Sequence, residues 1–244
     1  MTPPVLVITG TGTGVGKTVV TAAIAALASA DGRRVAVLKP AQTGVRPGDP
    51  DGDVPDIDVV TRLSGVTDTH ELARYPDPLS PEAAARTSGL PPLDMDAAAD
   101  YAAKLAADRD LVLVEGAGGL LVRYDGAGTT LADLAERAGA PVLTVAAAGL
   151  GTLNHTALTI EALAARGIPS AGVAIGSWPS APGLAELQNL ADLETVAGGP
   201  LAGILPAGAG RLPRDRFLEA ARAGLAPRLG GRRPDGSAPP RTGA

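Results

Sequence analysis

Short apolar runs alternate with Ala-rich stretches along most of the chain. Val5–Thr9, Arg34–Leu38, Leu111–Val114, Pro141–Val145, Ala171–Ile175 and Leu201–Leu205 are rich in β-branched residues. Most lack strict polar alternation, which is the pattern of strands buried on both faces. Lys17–Ala30, Asp96–Ala107, Leu131–Ala138, Asn154–Arg166 and Leu184–Val196 have helical spacing instead. Several of these end at glycine, as at Gly139 and Gly167, where a helix commonly stops. Strands alternating with helices predict an α/β fold, a mostly parallel sheet with helices on both faces in three layers. The crossovers should be right-handed. Residues 44–93 break the rhythm with Asp/Pro/Gly-rich loops and two short helices, around Asp56–Leu63 and Pro81–Thr87. A long excursion of that kind commonly carries function. Residues 1–229 read as a single domain. Residues 230–244, rich in Gly, Pro, Arg and Ser without apolar periodicity, read as a disordered tail.

Composition narrows the chemistry. Apolar residues at 45% and charged residues at 19% allow a sizeable core and exclude global disorder. A net charge of −5 argues against non-specific nucleic-acid binding. The absence of cysteine removes a disulfide framework, a thiol nucleophile and any Cys-based zinc site. The N-terminus has no basic region ahead of its short apolar run, so no signal peptide is expected. Ala138–Ile160 is long enough and uncharged enough to cross a bilayer, but Pro141, Gly149, Gly151, Asn154 and His155 divide it into a strand, a loop and a helix start. These readings place the chain in the cytoplasm, with no membrane partner.

The strongest motif is Gly10-x5-Gly16-Lys17-Thr18, between an apolar strand and an Ala-rich helix. That is the setting of a phosphate-binding loop, and it makes the fold P-loop NTPase-like. Glycines turn backbone N–H groups toward phosphate oxygens, and the helix N-terminus adds its positive end. Gly14, Val15, Gly16, Lys17, Thr18 and Val19 would then cradle the nucleotide, with Lys17 on the outer phosphates and the Thr18 hydroxyl on Mg²⁺. The spacing exceeds the standard motif by one residue. A site of this type also needs an acid at the end of a neighbouring strand. Leu111–Val114 runs into Glu115 and the glycine loop Gly116-Ala117-Gly118-Gly119. Glu115 is either that acid or the first solvated residue after a strand.

Together the motifs resemble the dethiobiotin synthetase family over roughly residues 5–208. The similarity rests on the lengthened phosphate loop, Lys39-Pro40-Ala41-Gln42-Thr43-Gly44, Val114–Gly119 and Leu150-Gly151-Thr152-Leu153-Asn154-His155, in family order. The wording of the phosphate loop and of Ile175–Pro179 looks actinobacterial. The resemblance implies a ligase that uses Mg²⁺ and ATP or another nucleoside triphosphate. Its substrates would be 7,8-diaminopelargonic acid and CO₂ or bicarbonate. It implies that Lys39 is catalytic, facing carbamate and phosphate, and that Thr43 binds substrate. It further implies that Asp56 joins Thr18 and Glu115 around Mg²⁺, with Asp49, Asp51, Asp53 and Asp58 as competitors in the same insertion. Gly151, Thr152, Leu153 and Asn154 would hold the substrate carboxylate across a homodimer interface, or form a plain helix start. Gly176, Ser177, Pro206, Ala207 and Gly208 would lie on the base side.

Two departures bear on that transfer. The family often has an acid where Gly14 stands, and an Asn that reads the base where Gly176 stands. Two rival classes are disfavoured. Partitioning ATPases carry a second lysine five residues before the Gly-Lys-Thr lysine, where this chain has Gly12. Cobyrinate amidase-type enzymes usually continue into a glutaminase with a nucleophilic Cys, and this chain has none.

Overall fold

The computed structural model describes residues 4–46, 48 and 53–234. Its strands are β1 (Val5–Gly10), β2 (Val35–Thr43), β3 (Thr69–Tyr75), β4 (Leu111–Gly119), β5 (Val142–Ala146), β6 (Ser170–Trp178) and β7 (Gly203–Pro206). The helices are α1 (Lys17–Ala30), α2 (Asp56–Ser64), α3 (Pro81–Ser88), α4 (Met95–Ala106), α5 (Leu131–Arg137), α6 (Thr152–Ala165), α7 (Leu184–Ala197) and α8 (Arg214–Gly224). The sheet runs β3-β2-β4-β1-β5-β6-β7, with every neighbouring pair of these strands parallel.

Helices cover both faces, as the alternation predicts. One core joins α1, α2 and α8 to the sheet through residues such as Val20, Leu63 and Phe217. On the other face α3, α4 and α5 pack through Ala84, Met95 and Leu131, while α6 and α7 pack beside them through Leu153, Leu163 and Leu193. Alanines along α1 let the helix lie close on the sheet, and Ala22 to Ala28 are all buried. The chain leaves β1 toward β2 on one side and returns through β4 toward β5 on the other. A crevice at the carboxyl ends of the strands is expected where the direction reverses.

Sequence pattern missed two elements. The strand β3, Thr-His-Glu-Leu-Ala-Arg-Tyr, has no apolar run because it is a sheet edge whose residues are mostly half-buried. Its start is fastened to the rest of the fold by a chain of polar contacts from Arg109 to Asp68, His70 and Tyr101. The helix α8 buries only Phe217, Ala221 and Gly224, a stripe too narrow to stand out among its arginines.

Strands also run further than their apolar runs. Arg34–Leu38 was expected to end before Pro40, yet β2 continues to Thr43. Its pairing with β4 stops at Leu38, and beyond that point the register Lys39↔Glu71, Ala41↔Ala73 and Thr43↔Tyr75 is carried by β3 alone. Proline lacks a donor for a central ladder and is tolerated where one neighbour has been lost. Within the expected tail, Gly231 N–H and Arg233 N–H bond to Ala226 and Leu225 carbonyls, and Arg233 is buried. Residues 235–244 lie outside the described residues, as do Asp49 and Asp51.

Phe217 is fully buried and supplies most of the volume α8 places in the core. Phe217→Ala should cost about 3–5 kcal/mol, read as a lower urea midpoint. A loss under about 1 kcal/mol would mean that α8 is peripheral.

Candidate active site

The carboxyl ends of β1, β2 and β4 form one cavity of about 580 Å³. Its lining includes Gly14, Gly16, Lys17, Thr18 and Val19 from the phosphate loop, with Lys39, Gln42 and Thr43 from β2. Asp53, Asp56, Glu115, Ala117 and Gly118 complete the polar part. Pro78, Leu79, Ser80, Pro81 and Val122 add a wall that the sequence reading did not foresee.

The loop folds as its glycines permit. Gly14 and Gly16 adopt φ of 75° and 98°, a region that side chains disfavour. A Cβ on Gly16 would stand 2.7 Å from the Gly176 carbonyl oxygen. In return, a Cβ on Gly176 would stand 2.2 Å from the Val15 carbonyl oxygen. The two glycines thus let the phosphate loop lie directly against β6. Lys17 is buried and donates to the Gly12 carbonyl at 2.9 Å.

The centre of the site is ionic. With β4 gone as a partner beyond Leu38, the next residues on each strand are Lys39 and Glu115. The Lys39 ammonium donates to Glu115 Oε1 at 2.9 Å and to the Gly116 carbonyl at 3.1 Å, and pairs with Asp56 Oδ2 at 2.6 Å. All three of its protons have acceptors. Burial alone would lower the Lys39 pKa, but the Glu115 and Asp56 charges outweigh it and hold it well above the usual lysine value. Two carboxylate neighbours and a third acceptor favour the charged form of Lys39. Burial pushes the Asp56 carboxyl up, but Lys39, the Thr18 hydroxyl and Lys17 hold it below its ordinary 3.8.

Thr18 Oγ1 lies 2.9 Å from Asp56 Oδ1 and 2.9 Å from Glu115 Oε1. One hydroxyl has one proton, so it can donate to only one of them. Three hard oxygen donors from α1, α2 and β4 converge, the donor set that suits Mg²⁺. Of the competing acids that are described, Asp53 lines the cavity and Asp58 is exposed.

The other expected residues are placed as follows. Thr43 lines the cavity, and its carbonyl accepts from the Gln42 side-chain amide at 3.1 Å. Gly176 abuts the phosphate loop, while Ser177 is exposed. The Ala207 N–H donates to the Trp178 carbonyl at 2.7 Å, bringing Pro206–Gly208 beside the end of β6. Gly151 caps α6 with φ of 92°, Thr152 is buried with its hydroxyl on the Ala147 carbonyl, and Asn154 is exposed. Leu153 packs into the core under α7. Among the described residues, none of Gly151–Asn154 lines the cavity described above.

Sequence reasoning missed the supports of these loops. The fully buried Tyr124 accepts the Ala117 N–H at 2.8 Å, holding the glycine loop after β4. Asn189 on α7 donates to the Ala148 and Gly149 carbonyls at 2.8 and 3.0 Å and pins the loop before α6. Neither lies in a recognisable motif.

Burial, followed by the Lys39 charge, lowers the Lys17 pKa from 10.5 to about 8. That drop is a cost of roughly 3 kcal/mol to the folded state. The cost is full below pH 8, where both states are protonated, and fades as pH rises to 10.5. Lys17→Met should therefore raise stability by up to about 3 kcal/mol at pH 7, with the gain vanishing by about pH 10.5. Urea unfolding at both pH values checks this, and a destabilised variant at pH 7 contradicts it.

Residues 5–210 match the family described as an AAA domain. Solved structures with the same fold include the MinC:MinD cell division complex of Aquifex aeolicus, at 14% identity and a TM-score of 0.54 over 89% of this chain and 92% of that one. A ParA family ATPase of Chlorobium tepidum matches at 14% identity and a TM-score of 0.53, over 90% and 89%. Such distant likeness concerns the fold alone. Curated relatives are far nearer. The ATP-dependent dethiobiotin synthetase BioD of Frankia casuarinae is 64% identical over 93% of each chain. That of Streptomyces avermitilis is 63% identical over 93% of this chain and 94% of its own. Identity at that level over 93% of the chain, and a cavity built from the motifs that suggested the resemblance, lead to one conclusion: the chain belongs to the ATP-dependent dethiobiotin synthetase family.

Proposed function

We propose that this cavity joins 7,8-diaminopelargonic acid, CO₂ and ATP to give dethiobiotin, ADP and phosphate. The observation that carries the reading is the buried Lys39, paired with Glu115 and Asp56 beside the phosphate loop. One amine of the substrate adds to CO₂ and loses a proton, giving a carbamate. A carbamate oxygen attacks the γ-phosphorus and ADP leaves. The second amine then attacks the carbonyl carbon, loses a proton and expels phosphate, closing the ring. Two anions must meet in line, so the protein contributes orientation and fixed positive charge more than covalent chemistry.

Lys17 reaches the outer phosphates, and Lys39 lies between carbamate and γ-phosphate. Thr18, Asp56 and Glu115 would hold Mg²⁺, which when bound neutralises triphosphate charge. Thr43 bonds the diamine. The start of α6, Gly151–Asn154, holds the substrate carboxylate from a second copy of the chain, since a helix N-terminus suits a carboxylate. Exposed Leu150, Leu158, Leu184 and Leu187 around α6 and α7 support a homodimer there. Among the described residues no helix is long and apolar enough to cross a membrane, and a cytoplasmic location goes with the reading.

Incubation with the diamine, bicarbonate, Mg²⁺ and ATP should yield dethiobiotin by mass spectrometry, and no product without any one of them. Absence of product from the complete mixture would overturn the function. Lys39→Ala should lower turnover at least about a hundredfold, near 3 kcal/mol of lost charge stabilisation, with the circular dichroism spectrum kept. Near-normal turnover would reject the role given to Lys39.

A second expectation concerns the base. Where the family often has a base-reading Asn, Gly176 is closed to a side chain by the Val15 carbonyl. A bidentate side-chain pair is worth about 1–3 kcal/mol of discrimination. CTP and GTP should therefore work within about a hundredfold of ATP in kcat/KM. A preference for ATP above about a thousandfold over every other nucleotide would contradict this.

A further inference from the structure

The geometry points to Gln42 as the residue that positions Asp56. The inference rests on the reading of Asp56 as a metal-side acid and extends it to what aims that acid. Asp56 is the first residue of α2, and helix starts leave backbone N–H groups without internal partners. The residue before it is Pro55, whose ring offers no acceptor, and α2 has no side-chain cap of its own. Upstream, Val54 is 60% exposed, so burial does not hold the approach. The first fully buried residues of α2 are Val60 and Leu63, more than one turn later, with Val59 only partly buried against the core.

Gln42 fills the gap from another element. It is buried on β2, in the stretch that has lost β4 as a partner. Its Oε1 accepts the Asp56 N–H at 2.9 Å, and its Nε2 donates to the Thr43 carbonyl at 3.1 Å. One end of the amide meets a donor and the other an acceptor, so its orientation is fixed by both. From that anchored backbone the Asp56 carboxylate reaches Thr18 at 2.9 Å and Lys39 at 2.6 Å. The strand that carries the reactive lysine thus also sets the acid that flanks it, three residues further on. Small displacements of such groups are expensive. A hydrogen bond that orients a ligand from behind commonly matters for metal affinity. Both ends of the Gln42 amide bond to backbone groups, and its part is that of a positioning residue.

The test uses the full-length protein and four variants. Gln42→Leu removes the acceptor, Gln42→Glu keeps it, and Asp56→Asn removes the acid. Gln42→Met, nearly isosteric with Gln and also lacking the acceptor, stands in if the leucine variant does not fold. Two readouts are taken. One is hydrogen exchange of the Asp56 amide by NMR. The other is Mn²⁺ binding in the presence of adenylyl imidodiphosphate, followed by electron paramagnetic resonance of free Mn²⁺. The Asp56 amide should be protected in wild type and in Gln42→Glu, and exchange at least about tenfold faster in Gln42→Leu. Half-saturation by Mn²⁺ should rise about tenfold or more in Gln42→Leu. In Gln42→Glu it should stay near wild type or tighten. The KM for ATP at saturating Mg²⁺ should change little in either. If Asp56→Asn weakens Mn²⁺ binding while Gln42→Leu leaves it and the amide unchanged, the inference about Gln42 fails and the reading of Asp56 stands. If Asp56→Asn itself leaves Mn²⁺ binding unchanged, the reading of Asp56 fails and the inference falls with it.

Discussion

The site depends on a lysine ammonium buried between two carboxylates. Lys39 is 3% exposed and Glu115 1% exposed, so neither has water to solvate its charge. Removing one partner of a buried pair leaves a bare charge and typically costs several kcal/mol, about 3–5. That threat ties together elements far apart in sequence. Lys39 belongs to β2, Glu115 to β4 and Asp56 to α2, and the Thr18 hydroxyl brings in the first turn of α1. The cluster is a joint of the fold as well as its chemical centre. A structure that satisfies these four groups has already placed the phosphate loop against the glycine loop of β4.

The sheet makes room for this by losing a pairing. Strands β2 and β4 are in register from Val35 to Leu38 and part at the residues that matter. What opens beyond them is the cavity. Its lining of Lys17, Lys39, Asp53, Asp56 and Glu115 carries a formal charge of −1, and it must receive a triphosphate and a carbamate. Extra positive charge has to arrive with the substrates, which is why an oxygen-ligated cation suits a chain whose own lysines are partly neutralised by acids. Two lysines held close together in a desolvated place also explain why the Lys17 pKa sits near 8. The folded state is strained electrostatically where an ATP-dependent dethiobiotin synthetase needs to attract anions, a common trade of stability for activity.

How much was legible in the sequence follows from what each residue is near. Lys17, Thr18, Lys39 and Glu115 sit beside glycine or proline motifs at the ends of apolar runs, and such punctuation can be read. Asp56 came through the family resemblance, since five acids in one loop-rich stretch look alike by composition. Gln42 stands inside the quoted Lys39–Gly44 stretch, yet its role, like that of Tyr124, could not be read because both act through backbone groups, and a side chain that bonds to backbone needs no partner of a special type. The strand extensions were invisible for a related reason. Past Leu38 and Val114 the strands continue through Lys39, Gln42 and Glu115, which are buried but not apolar, so the hydrophobic pattern ends before the strand does. The edge strand β3 and the arginine-rich α8 bury too little to announce themselves.

The direct test of this account is the charge of Lys39. Lys17, Lys39 and Lys104 are the lysines of the chain, so ¹³C-labelled lysine gives a spectrum simple enough to assign by substitution. In the nucleotide-free protein the Lys39 Cε resonance should stay at its protonated position up to about pH 11. The Lys17 resonance should move with a midpoint near 8. A Lys39 resonance that titrates at or below the ordinary lysine value would mean that the two carboxylates do not hold its proton. The buried ion cluster would then not be the joint on which the site is built.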